Sequence, residues 1–324
     1  MPEVRLSDLQ IRTPQFSNYV ALRILELNAF YQAGVMRVDP QLDAFASSGL
    51  GQELTIPFYQ PIDTSIEPNV STDDPASYAT PQKINTGSQK AAKIMANQAW
   101  RSMDLNVVLN ASDPLQVLGD QVADYWTTQW AKHLVSMSVG ILEDNILNDS
   151  GDMFVDQTAG QMSAQHIIRA RQTSGDRQAV YTAIAMHSQV YSNLQEQQLI
   201  TFLRNAQNST SFAVFNDLNV IVDDALPVNG GEYTSILYGP GSALFGRGNP
   251  RTPFETEREA LAGDGEGMET IISRQHALLH VDGFNNTVAP AGQSATRAEL
   301  EAAAAWDRVY DRKRVPLAFI RSAG

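Results

Sequence analysis

Eight large apolar residues recur at intervals of three and four: Leu115, Leu118, Val122, Trp126, Trp130, Leu134, Met137 and Ile141. That spacing puts them on one face of an α-helix. Asp113-Pro114 supplies an N-cap followed by proline at the first helical position. The pattern predicts one helix over 113–145, roughly 48 Å long at 1.5 Å per residue. Most globular helices are about a third of that length. Such a helix is a strut that crosses its whole domain, so the other elements must pack along it. Gly140 is a tolerated weak point within it.

Composition limits what surrounds the strut. The 324 residues are enough for a sizeable core or for two domains sharing one. Hydrophobic residues make up 43% and charged residues 18%, below the usual ~25% charged. No stretch approaches the ~18 to 20 uncharged apolar residues of a membrane-spanning helix. The start, MPEVRLSDLQ, lacks the apolar core of a secretory signal. The absence of cysteine removes disulfides, thiolate nucleophiles and cysteine metal sites together. A net charge of -13 argues against a direct grip on nucleic acid, which needs a basic surface. The reading is an intracellular, acidic, charge-poor globular protein, with a composition that suits self-association and equally many monomers.

Charge is unevenly placed. Residues 50–82 hold five acids (Glu53, Asp63, Glu67, Asp73, Asp74) and no cation. Four aspartates and no cation lie between Arg101 and Lys132. From Arg308 onward the balance reverses: Arg308, Arg312, Lys313, Arg314 and Arg321 face only Asp311. An acidic projection and a basic C-terminus suit contact between copies; two solvated faces are the plainer explanation.

The acidic stretch reads as a hairpin. LTIPFYQPI alternates but carries Pro57 and Pro61, so it is an edge or free-standing strand. DTSIEPNVSTDDPASYATP is a loop tip, and extended character returns over 82–98, with Ile84, Ala92, Ile94 and Ala96 on one parity. A two-stranded hairpin is marginal alone in water, so it has to rest on something else. Before it, Tyr19–Tyr31 has helical spacing and Ser47-Ser48-Gly49 breaks it.

After the strut, Ser163 caps a helix over 164–171 and His187-Ser188 caps another through Gln197. VYTAIAM (180–186) is a buried-type strand between them, giving a small α/β unit. Further strands are expected at 214–222, 234–238, 243–245 and 269–281. Thr296-x-x-Glu299 is a capping box before an alanine-rich helix, ELEAAAAWDRVY, and VPLAFI closes the chain as a strand.

Catalytic constellations are weak. Gly239, Gly241, Gly246 and Gly248 do not form GxGxxG. The four-residue gap from Gly241 to Gly246 matches a phosphate loop, but Arg247 and Gly248 replace its lysine and hydroxyl residue. His276 and His280 lie in strand-like sequence, where i and i+4 sit ~13 Å apart. His133, His166 and His187 are isolated. Asp144, Asp149, Asp152 and Asp156 lack the alternating oxygen ligands of a calcium loop. Asp223 and Asp224 point to opposite faces of a strand, and Glu255, Glu257 and Glu259 share the parity of a solvated edge. There is no GxSxG. No catalytic, cofactor or metal residue is assigned, and an enzyme is not expected.

The order of pieces, and the wording FYQAGVMRVDPQLDAFASSGLGQELTIPFYQPI, TPQKINTG, NQAWRSMDL, DPLQVLGDQVADYW, ILEDNILNDSGDM and AWDRVYDRKRVPLAFI, resemble the major capsid (coat) proteins of tailed bacteriophages with the Hong Kong ninety-seven type shell fold. The resemblance spans nearly the whole chain. It implies a mixed α+β fold with 1–48 as an N-terminal arm and 49–88 as an extended loop lying over a neighbour. A peripheral domain would comprise 89–160 and 255–324, with its spine helix at 113–145, and 161–254 would be an axial domain meeting its copies at pentamer and hexamer centres. The domain of VPLAFI is left open. The implied function is self-assembly into the icosahedral capsid enclosing the genomic double-stranded DNA, without sequence-specific binding. Implied partners are copies of itself, a portal, and scaffold or decoration proteins, with no membrane. The implied location is the virion, after assembly in the bacterial host cytoplasm. Fewer than 50 residues precede the hairpin, so a separate scaffold, or none, is expected rather than a self-cleaved segment. Some relatives join lysine to asparagine between subunits; Lys83 and Lys90 sit at the base of this hairpin, and no cross-link is expected. The alternatives are the shell of a cellular encapsulin-like compartment, or a soluble α/β hydrolase using the carboxylates above.

Overall fold

The predicted strut is present and its apolar face is inside. Val122, Trp126, Trp130, Leu134, Met137 and Ile141 are each at most 2% exposed. The computed structural model describes residues 28–48, 51–63, 65–104, 118–204 and 211–323. The Asp113-Pro114 cap, Leu115 and most of the Tyr19–Tyr31 segment lie outside that set.

The chain runs through α1 (Ala29–Gln32), β1 (Met36–Val38), α2 (Pro40–Ser47), β2 (Glu53–Tyr59) and β3 (Thr86–Met103) to the strut α3 (Leu118–Asn148). β4 (Phe154–Gln161), α4 (Ala164–Gln172), β5 (Ala183–Met186) and α5 (Ser188–Glu196) follow. Then come β6 (Thr201–Arg204), β7 (Ser211–Phe215), β8 (Leu218–Val222), β9 (Val228–Asn229), β10 (Glu232–Tyr238) and β11 (Ala243–Arg247). The last elements are β12 (Phe254–Glu259), β13 (Met268–Val281), β14 (Phe284–Asn286), α6 (Arg297–Leu300), β15 (Trp306–Arg308) and β16 (Leu317–Ala323).

Two sheets carry the fold. One has the order β1-β11-β13-β3-β2, with β12 also on β13; the other runs β4-β16-β10-β5-β8-β7-β6, with β9 on β10. A small β14-β15 pair stands apart. The C-terminal strand, whose domain the sequence left open, runs between β4 and β10.

The central strands of the second sheet are buried on both faces. Side chains alternate across a strand, and here both parities find a core. Ala183, Ala185, Ile236, Tyr238, Leu317 and Phe319 face the core of α3. Ile184, Met186, Leu237, Ala318 and Ile320 face a second core with Ile167 of α4 and Leu194 of α5. The strut reaches both sheets. Trp126 Nε1 donates to Ser273 Oγ of β13 at 3.0 Å, and Ser138 Oγ lies 2.8 Å from the Tyr238 hydroxyl of β10.

Several local expectations are corrected. Residues 214–222 are two strands, β7 and β8, because Asn216 and Asp217 take φ of 50° and 63° and reverse the chain. Paired positive φ is the tight hairpin geometry that Asn and Asp tolerate. The strand expected from Val180 starts at Ala183, after a 3-10 turn over Gly175–Val180. The alanine-rich helix stops after four residues. Its capping box forms, with Thr296 N donating to Glu299 at 2.8 Å. However, the Leu300 carbonyl accepts the Trp306 indole at 2.7 Å, and Trp306 enters β15. Burying Trp306 outweighs alanine's helix preference. Gly140 is the contact point: a Cβ there would overlap the Leu300 carbonyl oxygen and the Trp306 indole.

Candidate assembly surface

β3 is the strand from which the candidate surface grows. Over Lys93–Met103 it pairs with β13 in the body. It then continues through Thr86–Ala92, paired only with the edge strand β2. Pro57 is tolerated in β2 because one side of an edge strand needs no ladder donor. The hairpin's root is anchored. Leu54 and Ile56 pack beside Leu42, Ala46 and Leu278. The Phe58 ring meets Tyr310 edge-on at 4.7 Å, and Gly87 leaves the space that ring fills.

A buried amide fixes the same root. Gln89 Nε2 donates to Asp282 Oδ1 at 2.9 Å and to the Tyr310 hydroxyl at 2.7 Å. Its Oε1 accepts from Gly283 N at 2.9 Å and lies 2.8 Å from His280 Nε2. Since that amide oxygen only accepts, His280 Nε2 carries the proton. Burial pushes the His280 pKa down to about 4, so the ring is neutral at pH 7.

Beyond the root, packing ends. Residues 60–63 and 65–85 are all exposed. The tip is shaped by its own turns: Asp63 accepts from Ser65 N and Oγ, Asp74 from Ala76 N, and Asn69 exchanges hydrogen bonds with Thr80. The Ser65 bonds hold the Asp63 carboxyl below its ordinary pKa. Val70 is 91% exposed, Tyr78 87% and Tyr59 75%, with Ile62 and Ile84 also in water. Large apolar groups exposed along one projection make it the candidate contact surface.

The basic C-terminus is largely engaged within the chain. Arg308 lies 3.3 Å from Asp149 and 2.8 Å from Asp152, and Lys313 lies 3.1 Å from Asp176. Arg312 donates to the Thr173 and Tyr181 hydroxyls. Arg314 and Arg321 stack on Tyr310 and Phe154 at 4.4 and 4.9 Å. Burial raises the Asp152 pKa, but hydrogen bonds from Arg308 and Asn145 outweigh it and leave the carboxyl below its ordinary value.

The remaining sequence candidates do structural work. Gly246 and Gly248 permit close packing on Leu42 and His276, and Gly241 takes φ of 63° in a turn. Asp144 is buried and accepts from Asn148 at 2.6 Å; burial raises its pKa. Asp156 accepts from Thr158 N. Asp223 accepts from Ala225 N, and Asp224 from Ser188 N. Glu255 pairs with Arg274 at 2.7 Å on the exposed strand β12. Among the described residues, no three His, Asp or Glu side chains gather as a metal-ligand set. His133 Nδ1 donates to the Gln129 carbonyl at 2.7 Å, His166 closes the α4 cap and His187 caps α5.

No family model matches the chain. It is 34% identical over 322 residues to the major capsid protein of Bacillus phage SPP1, covering 97% of each protein. Three solved structures share the fold at low identity. The capsid asymmetric unit of cyanophage Pam1 has a TM-score of 0.57 at 8% identity, covering 93% of this chain and 92% of that one. Microbacterium phage Oxtober96 gives 0.55 at 10%, covering 91% of each chain. The head structure of Helicobacter pylori bacteriophage KHP40 gives 0.53 at 11%, covering 91% of this chain and 90% of that one. Strut, two sheets and projecting hairpin thus coincide with a relationship that runs through almost the whole sequence, and the chain belongs to the phage major capsid proteins of the Hong Kong ninety-seven type fold.

Proposed function

We propose that many copies of this chain assemble, as pentamers and hexamers, into the icosahedral shell that encloses the genomic DNA of a tailed phage. The observation that carries the reading is the 34% identity to a phage coat protein across 97% of the chain, projecting hairpin included. The mechanism is burial of surface between copies, with no catalytic step. In this reading 1–48 is an arm, 49–88 lies over a neighbouring copy, 89–160 and 255–324 form the peripheral domain, and 161–254 is axial. A portal and scaffold or decoration proteins would complete the particle, which is built in the host cytoplasm. DNA is held by confinement rather than by sequence recognition, consistent with a net charge of -13.

The test is negative-stain microscopy and sedimentation of the purified chain, beside a variant lacking residues 60–80. The parent is expected to form shells. The shortened chain is expected to keep its circular dichroism and melting temperature, because the described residues of the deleted stretch are all exposed, and to form none. Normal shells from it would remove the hairpin from the assembly mechanism.

A further inference from the structure

At the hairpin's root, where the β13 ladder on β3 gives way to the β2 ladder, lies an open groove of about 320 Å³. Its polar walls are Ser47, Ser48, Lys93, Asn249, Arg251 and His276, and among the described residues no carboxylate lines it. Lys93 is only 8% exposed. Its Nζ donates to the Ser48 carbonyl at 2.9 Å and lies 5.2 Å over the Phe45 ring. An ammonium has three donors, so one carbonyl leaves capacity facing the groove. Among the described residues, neither Lys93 nor Arg251 has a carboxylate at ion-pair distance. Lysine is seldom this little exposed without a counter-charge, because desolvating an unpaired charge is costly. Burial holds Lys93 below its ordinary pKa; His276 is lowered by burial and then by the Lys93 charge. The groove therefore offers two cations with no counter-charge among the described residues.

The complementary charge is on the same chain but out of reach. The projecting loop carries Asp63, Glu67, Asp73 and Asp74, with no cation from 50 to 82. Seven residues of strand separate Lys93 from Thr86, where the loop begins, about 23 Å at the rise of a β-strand, and the loop stays in water. We propose that the Lys93–Arg251 groove receives the acidic loop of a second copy, one of its carboxylates bridging the two cations. The proposal rests on the self-assembly reading and names the surface that loop meets. A nucleic-acid phosphate is the poorer occupant, since two cations on a chain of net charge -13 give little hold on a polyanion.

The test is the assembly threshold, the chain concentration at which shells appear by light scattering and microscopy. Arg251 is exposed, so Arg251→Glu is expected to fold normally and to raise the threshold by at least about tenfold. Adding Lys93→Met, Asp73→Lys and Asp74→Lys to that chain is expected to bring the threshold back, since every copy then carries the reversed pair and the groove keeps neither Lys93 nor Arg251 to repel the loop. Lys93→Met is expected to leave the melting temperature of the unassembled chain unchanged or higher while raising the threshold. An unchanged threshold for Arg251→Glu overturns the proposal. So does a raised threshold that the loop reversal fails to restore, which would assign the groove to phosphate or another surface. A parent chain that never assembles overturns the self-assembly reading itself, so the two failures are distinguishable.

Discussion

Gly140→Ala sets two effects of opposite sign against each other. In an exposed helix interior, alanine is favoured over glycine by about 1 kcal/mol. At position 140 the added methyl would occupy the space of the Leu300 carbonyl and the Trp306 indole. Neither neighbour gives way easily: Leu300 is 0% and Trp306 3% exposed, and they share a 2.7 Å hydrogen bond. Overpacking a filled core costs about 1 to 3 kcal/mol, and loosening that bond about 1 more. After the propensity gain, the substitution should destabilise by about 1 to 3 kcal/mol. The assay is urea unfolding of the unassembled chain followed by tryptophan fluorescence, comparing midpoints at constant slope. Gly160→Ala is the control, because a Cβ there meets nothing within 4 Å. A midpoint for Gly140→Ala above the parent's would mean that helix propensity acts unopposed, and that α6 and β15 do not cross the strut at this point.

Trp130→Ala should cost about 3 to 5 kcal/mol. Its ring is 2% exposed and lies 6.2 Å from Trp126 and 5.8 Å from Phe245; a loss under about 1 kcal/mol in the same titration would put that helix face in solvent. His280 should make the fold acid-sensitive. Its folded pKa of about 4 lies below the ordinary 6.5, so its contribution is complete above pH 6.5 and is lost as pH falls from there toward 4. The full amount is about 3 kcal/mol at 1.36 kcal/mol per unit. Stability against pH for the parent and His280→Leu should diverge in that window, and parallel curves would refute the assignment.

The strut was legible because one helical face states its own burial: every third or fourth side chain from Val122 to Ile141 is inside. The hairpin was legible because Pro57 and Pro61 exclude a central strand and the acidic tip excludes a core. The sheet partners were not. β1 pairs with β11 and β3 with β13 across more than 150 residues, and no local pattern names a distant partner. The β7–β8 reversal does carry a local signal, since Asn216-Asp217 sits between two apolar runs. The alanine segment after Leu300 misleads because its propensity is helical while its tryptophan is needed elsewhere. The roles of the C-terminal cations depend on where Asp149, Asp152 and Asp176 fold, which composition cannot supply. Lys93 is the sharpest case: in sequence it is one more polar residue of an extended strand, and only its burial beside an acid-free groove sets it apart.

The charge distribution then makes a demand of the assembly. The cations near the C-terminus are engaged by acids, hydroxyls or rings of their own chain, whereas among the described residues the tip acids Asp63, Glu67, Asp73 and Asp74 have no cation at ion-pair distance. If those acids were merely solvated, crowding many copies together would raise their mutual repulsion, and salt would promote assembly by screening it. If they dock on the Lys93–Arg251 groove, attraction dominates at short range and salt opposes assembly. Screening lengths fall from about 10 Å at 0.1 M to about 3 Å at 1 M, so the assembly threshold should rise across that range in sodium chloride. The Arg251→Glu chain has lost the attraction and keeps the repulsion, so its threshold should fall over the same range. Opposite slopes for the two chains follow from docking alone, and equal slopes would return the acidic tip to the role of a solvated face.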